Sequence, residues 1–133
     1  MKIVLDTNVL LSALISPHGA PDLIYRAWRA AKFEIVTSTV QLDELRRASR
    51  YPKLQAKLRP GTLINNLQRA IVLQRLVAKA EADGPDDAYL LAMAMDGDVD
   101  YLVTGDRRAG LLQRGRIGRT RIVSPSVFCS LVL

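Results

Sequence analysis

Four carboxylates stand where their spacing could support chemistry: Asp6, Glu44, Asp87 and Asp106. Asp6 directly follows the apolar run Ile3-Val4-Leu5, and Asp106 follows Tyr101-Leu102-Val103-Thr104 after one glycine. Glu44 falls inside a helical pattern, between Val40 and Ala48 at i−4 and i+4, which tilts it toward a half-buried face. Asp87 falls in the first turn of a strongly apolar helix. Carboxylates brought together repel, so either some protonate or a cation neutralises them. Hard divalent ions such as Mg²⁺ or Mn²⁺ prefer oxygen ligands, and Mg²⁺ often takes only one or two carboxylates and keeps its waters. A metal held this way activates water at neutral pH, and two metals ~3.5–4 Å apart clamp both oxygens of a phosphodiester. That chemistry needs no histidine base, which suits a chain whose single histidine, His18, lies in a loop-like Ser-Pro-His-Gly-Ala-Pro stretch.

Each carboxylate also has a plainer reading. Asp86 and Asp87 both complement a helix dipole, and periodicity does not separate them. Asp106 could cap the next helix. Glu44 could be a surface residue. Asp83, Asp96, Asp98 and Asp100 read as loop acids, the last two at the amino end of a strand and away from any site.

The elements that must position these groups alternate. Ile3 to Leu5 reads as a strand buried on both faces. A helix follows, with Val9, Leu10, Ala13 and Leu14 as its stripe. Pro21-Asp22 opens a helix to about Ala31 whose expected buried stripe is Leu23, Ile24, Ala27 and Trp28. Phe33 to Thr37 is a second strand, and Ser38-Thr39-Val40-Gln41 has capping-box spacing. The helix after it runs to about Arg50. Pro52 and Pro60-Gly61 bracket a short basic helix over 53–58, then come a helix over about 62–70 and a short strand within 71–77. Gly84-Pro85 starts a helix whose body, Ala88 to Met95, is apolar almost all round and so expected to be buried. Tyr101 to Thr104 and Arg121 to Val123 are further strands. Ser124-Pro125 caps a terminal helix carrying Val127, Phe128, Leu131 and Val132. The alternation implies one α/β domain over 1–133, a three-layer α/β/α arrangement on a mostly parallel sheet. In such a sheet the carboxyl ends of the strands form the edge where ligands bind.

Composition narrows the partners. The chain has 133 residues, a net charge of +6 and one cysteine, Cys129, which has no partner for an internal disulfide and fits a reducing cytosol. No apolar run approaches the ~20 residues of a membrane span, and Asp6 and Asn8 interrupt any signal-peptide pattern. Eight of the thirteen acids lie between Glu81 and Asp106, and six arginines with no acid follow. A basic chain favours an anionic partner such as nucleic acid or an acidic protein segment.

In order along the chain, Val4-Leu5-Asp6-Thr7-Asn8-Val9-Leu10, Ser38 through Glu44-Leu45, Asp86-Asp87-Ala88-Tyr89-Leu90-Leu91-Ala92-Met93-Ala94, and Thr104-Gly105-Asp106 resemble the four motifs of the PIN domain, the nuclease fold of VapC-type toxins. One such motif is weak; four in order across nearly the whole chain are specific. The resemblance implies a metal-dependent ribonuclease acting on single-stranded or loop RNA, paired with a small antitoxin protein and often a homodimer. It implies Asp6, Glu44, Asp87 and Asp106 as Mg²⁺ or Mn²⁺ ligands, and its alignment selects Asp87 over Asp86. Asn8 would orient Asp6, and Thr104 would support the site by hydrogen bonds. Gly84-Pro85-Asp86-Asp87 and Tyr51-Pro52-Lys53 resemble the family's toxin-component branch, whose frequent additional acid at the position of Ala88 is absent here.

Arg46, Arg47, Arg50 and Lys53 follow Glu44, and Arg107 and Arg108 follow Asp106; beside a metal they could hold RNA phosphates in a salt-sensitive way. As solvated surface residues they would need no ligand. Seven aromatics leave little for extensive base stacking. The rival reading is a non-catalytic RNA- or protein-binding module of the same fold, which four intact acids oppose. A phosphatase of the haloacid-dehalogenase type would need an acid where Asn8 stands. A receiver domain would need a late lysine, and none follows Lys79.

Overall fold

The computed structural model describes residues 1–48, 50, 66–67, 69–78, 85–105 and 110–133, with 85 and 86 described in backbone only. Strands β1 (Lys2–Leu5), β2 (Glu34–Ser38), β3 (Ile71–Leu73), β4 (Tyr101–Val103), β5 (Arg116–Ile117) and β6 (Thr120–Val123) form one sheet in the order β3-β2-β1-β4-β6-β5. Every pairing is parallel except β5 with β6. The helices are α1 (Thr7–Ile15), α2 (Ala20–Arg29), α3 (Thr39–Ala48), α4 (Pro85–Asp96), α5 (Leu111–Arg114) and α6 (Pro125–Val132).

Strand residues alternate between faces, which divides the core in two. Ile3, Leu5, Ile35, Val103 and Val123 pack with Val9 and Leu10 of α1, Ile24 of α2, Leu42 and Leu45 of α3 and Phe128 of α6. Val4, Val36, Leu102 and Ile122 pack with Leu90, Leu91, Met93 and Ala94 of α4 and Leu111 of α5. Helices thus cover both faces, giving the three layers. This is why the strands read as continuous apolar runs rather than alternating ones.

Strand order fixes where a site can lie. From β1 the chain moves outward to β2 and β3, then returns to β4 on the other side of β1. The carboxyl ends of β1 and β4 therefore bound a crevice, the switch point at which open α/β sheets bind ligands. Asp6 and Thr104 are the residues that leave those two strands.

Three details depart from the sequence pattern. Leu23 is 48% exposed, and its place in the buried part of α2 is taken by Asp22 beside Ile24. Val127 and Leu131 of α6 are also exposed, leaving Phe128 as its buried anchor. The β5–β6 hairpin, closed through Gly118-Arg119, has too short a first strand to show a period. The helices expected over 53–58 and most of 62–70 fall outside the described residues. At the amino end of the sheet, Asp100 accepts from the Lys2 backbone N–H at 3.0 Å, and Arg119 bonds both Asp98 and Asp100, so these acids are structural and distant from the crevice.

Asp22 closes the turn into α2. Its carboxylate accepts from the His18 backbone N–H at 2.9 Å, where His18 has a left-handed φ of 69°, and pairs with Arg26 Nε at 3.0 Å. The His18 bond, then Arg26, holds the Asp22 carboxyl below its ordinary range despite burial. A carboxyl depressed on folding contributes stability above its unfolded pKa of about 4 and loses it as pH falls through the lower folded value. Asp22→Asn is therefore expected to cost about 1.5–3 kcal/mol at neutral pH, the worth of a hydrogen bond to a charged group. Urea melts should show the gap between variant and wild type narrowing below about pH 4; a gap independent of pH would refute the charged role.

Candidate functional site at the carboxyl edge of the sheet

Asp6 sits at the crevice because backbone bonds put it there. Its N–H donates to Val103 O at 2.9 Å, tying the end of β1 to β4, and its carbonyl accepts from Val9 N and Leu10 N to begin α1. Its side chain is the N-cap of that helix: Oδ1 accepts from Asn8 N at 3.2 Å. Oδ2 accepts from the fully buried Thr104 hydroxyl at 2.8 Å. Thr104 thus reaches Asp6 through its hydroxyl, and Asn8 reaches it through its backbone N–H rather than its side chain. The Asn8 side chain is exposed and lines a cleft of about 490 Å³ with Val9, Ser12, Pro21, Gly105 and Pro125.

Helix α4 reaches the same edge from the other layer. Its last residues lead into β4 at the amino end of the sheet, and twelve residues span about 18 Å, returning its first turn to the carboxyl end. Asp87, 6% exposed, is in that turn. Two residues on is Tyr89, whose hydroxyl donates to Glu44 Oε2 of α3 in a very short contact and lies 2.9 Å from Thr7 Oγ1. Burial, then the hydrogen bond to Glu44, pushes the Tyr89 phenol well above its ordinary value, so it stays a donor.

The bond continues inward. Gln41 Nε2 donates to Leu5 O at 2.7 Å and more weakly to Thr7 Oγ1 at 3.5 Å, while its Oε1 accepts from Thr37 Oγ1 at 2.7 Å. Donors therefore run one way: Gln41 to Thr7, Thr7 to Tyr89, Tyr89 to Glu44. Such a chain polarises each member in turn. Half of the expected capping box forms, with Gln41 N on Ser38 Oγ at 3.1 Å; the Gln41 side chain reaches β1 instead of turning back. Sequence patterns missed Thr7, Gln41 and Tyr89 as a unit because their partners are 34 to 82 residues apart.

Among the described residues, no three acidic, histidine or cysteine side chains gather into a metal-holding group by themselves. Asp106 falls outside the described residues, as do Lys53, Arg107, Arg108 and the Asp86 side chain. The donor types nevertheless suit a hard cation: Asp6 and Asp87 are buried carboxylates, Glu44 is half-buried and bonded to Tyr89 of α4, and one or two carboxylates suffice for Mg²⁺. Arg46 pairs with Asp43 at 2.9 Å, and Arg47 and Arg50 are exposed.

A family model described as the PIN domain matches residues 2–108. The chain belongs to the PIN domain family. Its fold is also that of a chain in the crystal structure of VapBC2 from Rickettsia felis bound to a DNA fragment from their promoter. The two share 20% identity over 93% of this chain and 98% of that one, with a TM-score of 0.62. No curated protein sequence matches. The switch-point carboxylate, the acid in α3 and the acid opening α4 are thus arranged on a PIN domain, with the Thr7–Tyr89–Glu44 bonds joining its two helical layers. No helix among the described residues is long and apolar enough to cross a membrane.

Proposed function

We propose that this PIN domain is a metal-dependent endoribonuclease, the toxin of a toxin–antitoxin pair, working in the cytoplasm. The observation that carries the reading is the buried Asp6 carboxylate, fixed at the switch point by two donors, with Asp87 also buried in the first turn of α4. Its structural likeness to VapBC2 supports a small antitoxin protein as partner; a homodimer as the working form is part of the same proposal.

In this reading Asp6, Glu44, Asp87 and Asp106 hold Mg²⁺ or Mn²⁺, whose chemistry is activation of water and neutralisation of phosphate charge. Thr104 and the Asn8 N–H keep the Asp6 oxygens turned toward the crevice. Tyr89 holds Glu44 against rotation. Arg46, Arg47, Arg50, Lys53, Arg107 and Arg108 hold RNA phosphates near the edge without reading sequence.

Cleavage of a mixed-sequence labelled RNA with Mn²⁺, Mg²⁺ or EDTA tests the reading. Cuts that need the metal support it. Intact RNA in every lane, with RNA still bound, would favour the binding module. Tyr89→Phe probes the positioning of Glu44: loss of a group that only orients a ligand costs about 10–100-fold in metal affinity or activity. Its thermal midpoint should move little, since a typical hydrogen bond nets about 1 kcal/mol. Unchanged cleavage kinetics would remove Tyr89 from the site.

A further inference from the structure

A second cleft lies at the opposite end of the sheet. The last turn of α2 leads through Lys32 N on Ala27 O to Glu34 at the start of β2, so Trp28 and Arg29 sit at the amino end. There Trp28, Arg29, Asn66 and Arg69 line a cleft of about 130 Å³. An adjoining one of about 240 Å³ shares Trp28 and Arg69 and adds Phe33, Glu34 and Ala70.

The cleft is braced. Tyr25 packs its ring on Trp28 at 5.7 Å between centroids, and its hydroxyl accepts from Asn66 Nδ2 at 2.7 Å, fixing the turn at residues 66–67 to α2. Arg29 and Arg69 are exposed, and among the described residues neither lies within 4.0 Å of a carboxylate, whereas Arg26 and Arg46 each pair with one and Arg119 with two. Arg29 alone would complement the end of a helix dipole. Arg69 likewise follows the helical residues Asn66 and Leu67, so a dipole accounts for each arginine singly but not for both meeting at one tryptophan. Among the described residues, the one carboxylate lining the adjoining cleft, Glu34, offsets a single charge.

We infer that Trp28, Arg29 and Arg69 form a second contact for single-stranded RNA, a base resting on the indole and phosphates held by the two guanidinium groups. Base–aromatic stacking with flanking cations is how proteins bind single strands without reading sequence. A net charge of +6 favours a polyanion over a neutral or basic partner. Strand β2, five residues long, spans about 16 Å, so one short strand can reach from this cleft to the carboxyl edge. The inference rests on the proposed function only in taking RNA as the ligand; binding here requires neither metal nor cleavage.

Trp28 is the chain's single tryptophan, so its fluorescence reports this cleft alone. The test titrates the Asp6→Asn protein in EDTA with a single-stranded RNA of about twenty nucleotides and mixed sequence. Saturable quenching is expected. Arg29→Glu with Arg69→Glu should weaken binding about tenfold near 0.1 M salt and lower the salt slope by about 1.4, from ~0.7 per charge. The charge-matched pair Arg114→Glu with Arg116→Glu, at the far edge of the sheet, should leave quenching in place. RNA binding without quenching, equal losses in both double variants, or quenching by a polyglutamate peptide and not by RNA would each overturn the inference. Wild-type protein that quenches yet never cleaves would instead overturn the nuclease reading and leave this one standing.

Discussion

Asp6→Asn is expected to lower metal-dependent RNA cleavage by more than about a hundredfold, beyond the 10–100-fold cost of losing a group that merely orients a ligand, while the protein stays folded. The fold should survive because asparagine caps a helix as well as aspartate does. The Asn8 N–H can still donate to the remaining amide oxygen, and the Thr104 hydroxyl can turn to accept from the new amide group. What is lost is the negative charge and one oxygen at the switch point. Rates measured on wild type and variant purified identically, with far-UV circular dichroism of both, separate the chemical loss from unfolding. Full activity in the variant would exclude Asp6 as a ligand.

Gln41→Leu is expected to be the most damaging single change to the fold, at about 2–4 kcal/mol, from the 1–3 kcal/mol charged to each buried polar group left without a partner. Gln41 is fully buried and serves three groups at once: the Leu5 carbonyl, the Thr37 hydroxyl and, more weakly, the Thr7 hydroxyl. Paired residues of the β1–β2 ladder end at Ile3 and Ile35, so the Gln41 amide takes over the Leu5 carbonyl beyond them. Leucine fills a similar volume but accepts and donates nothing, leaving that carbonyl dry. The denaturant midpoint should fall with an unchanged m-value. Cleavage should fall as well, because the donor chain through Thr7 and Tyr89 to Glu44 starts at this amide. An unfolding free energy within about 0.5 kcal/mol of wild type would mean the buried network contributes no more than an ordinary surface contact.

The order of elements was readable because both faces of the sheet are covered. Ile3-Val4-Leu5 and Tyr101-Leu102-Val103 carry no polar interruption, and the first charge after each marks the strand's carboxyl end. Pro85 and Pro125 marked helix starts through their fixed φ, and Ser124 adds a side-chain cap to the second. Periodicity failed where one residue stood for another. In α2, Leu23 and Asp22 exchange their expected environments, because the His18 N–H and Arg26 make burial of the carboxylate tolerable. Tyr89 looked like one more apolar residue of α4, although its ring leads to a hydroxyl that joins two helical layers. Gln41 carried a local capping signal that hid a long-range one. Burial of Asp6 and Asp87 at one edge follows from the strand order, which no single segment encodes.

The most direct test of the account is Mn²⁺ binding by calorimetry, run on wild type, Asp6→Asn and Asp87→Asn. The account predicts that wild type binds the ion and that each variant loses most of that affinity, since both buried carboxylates serve one cation. Equal binding in all three would place the metal elsewhere. No binding in wild type, with the protein folded, would contradict the acidic edge as a metal centre and the nuclease proposed from it.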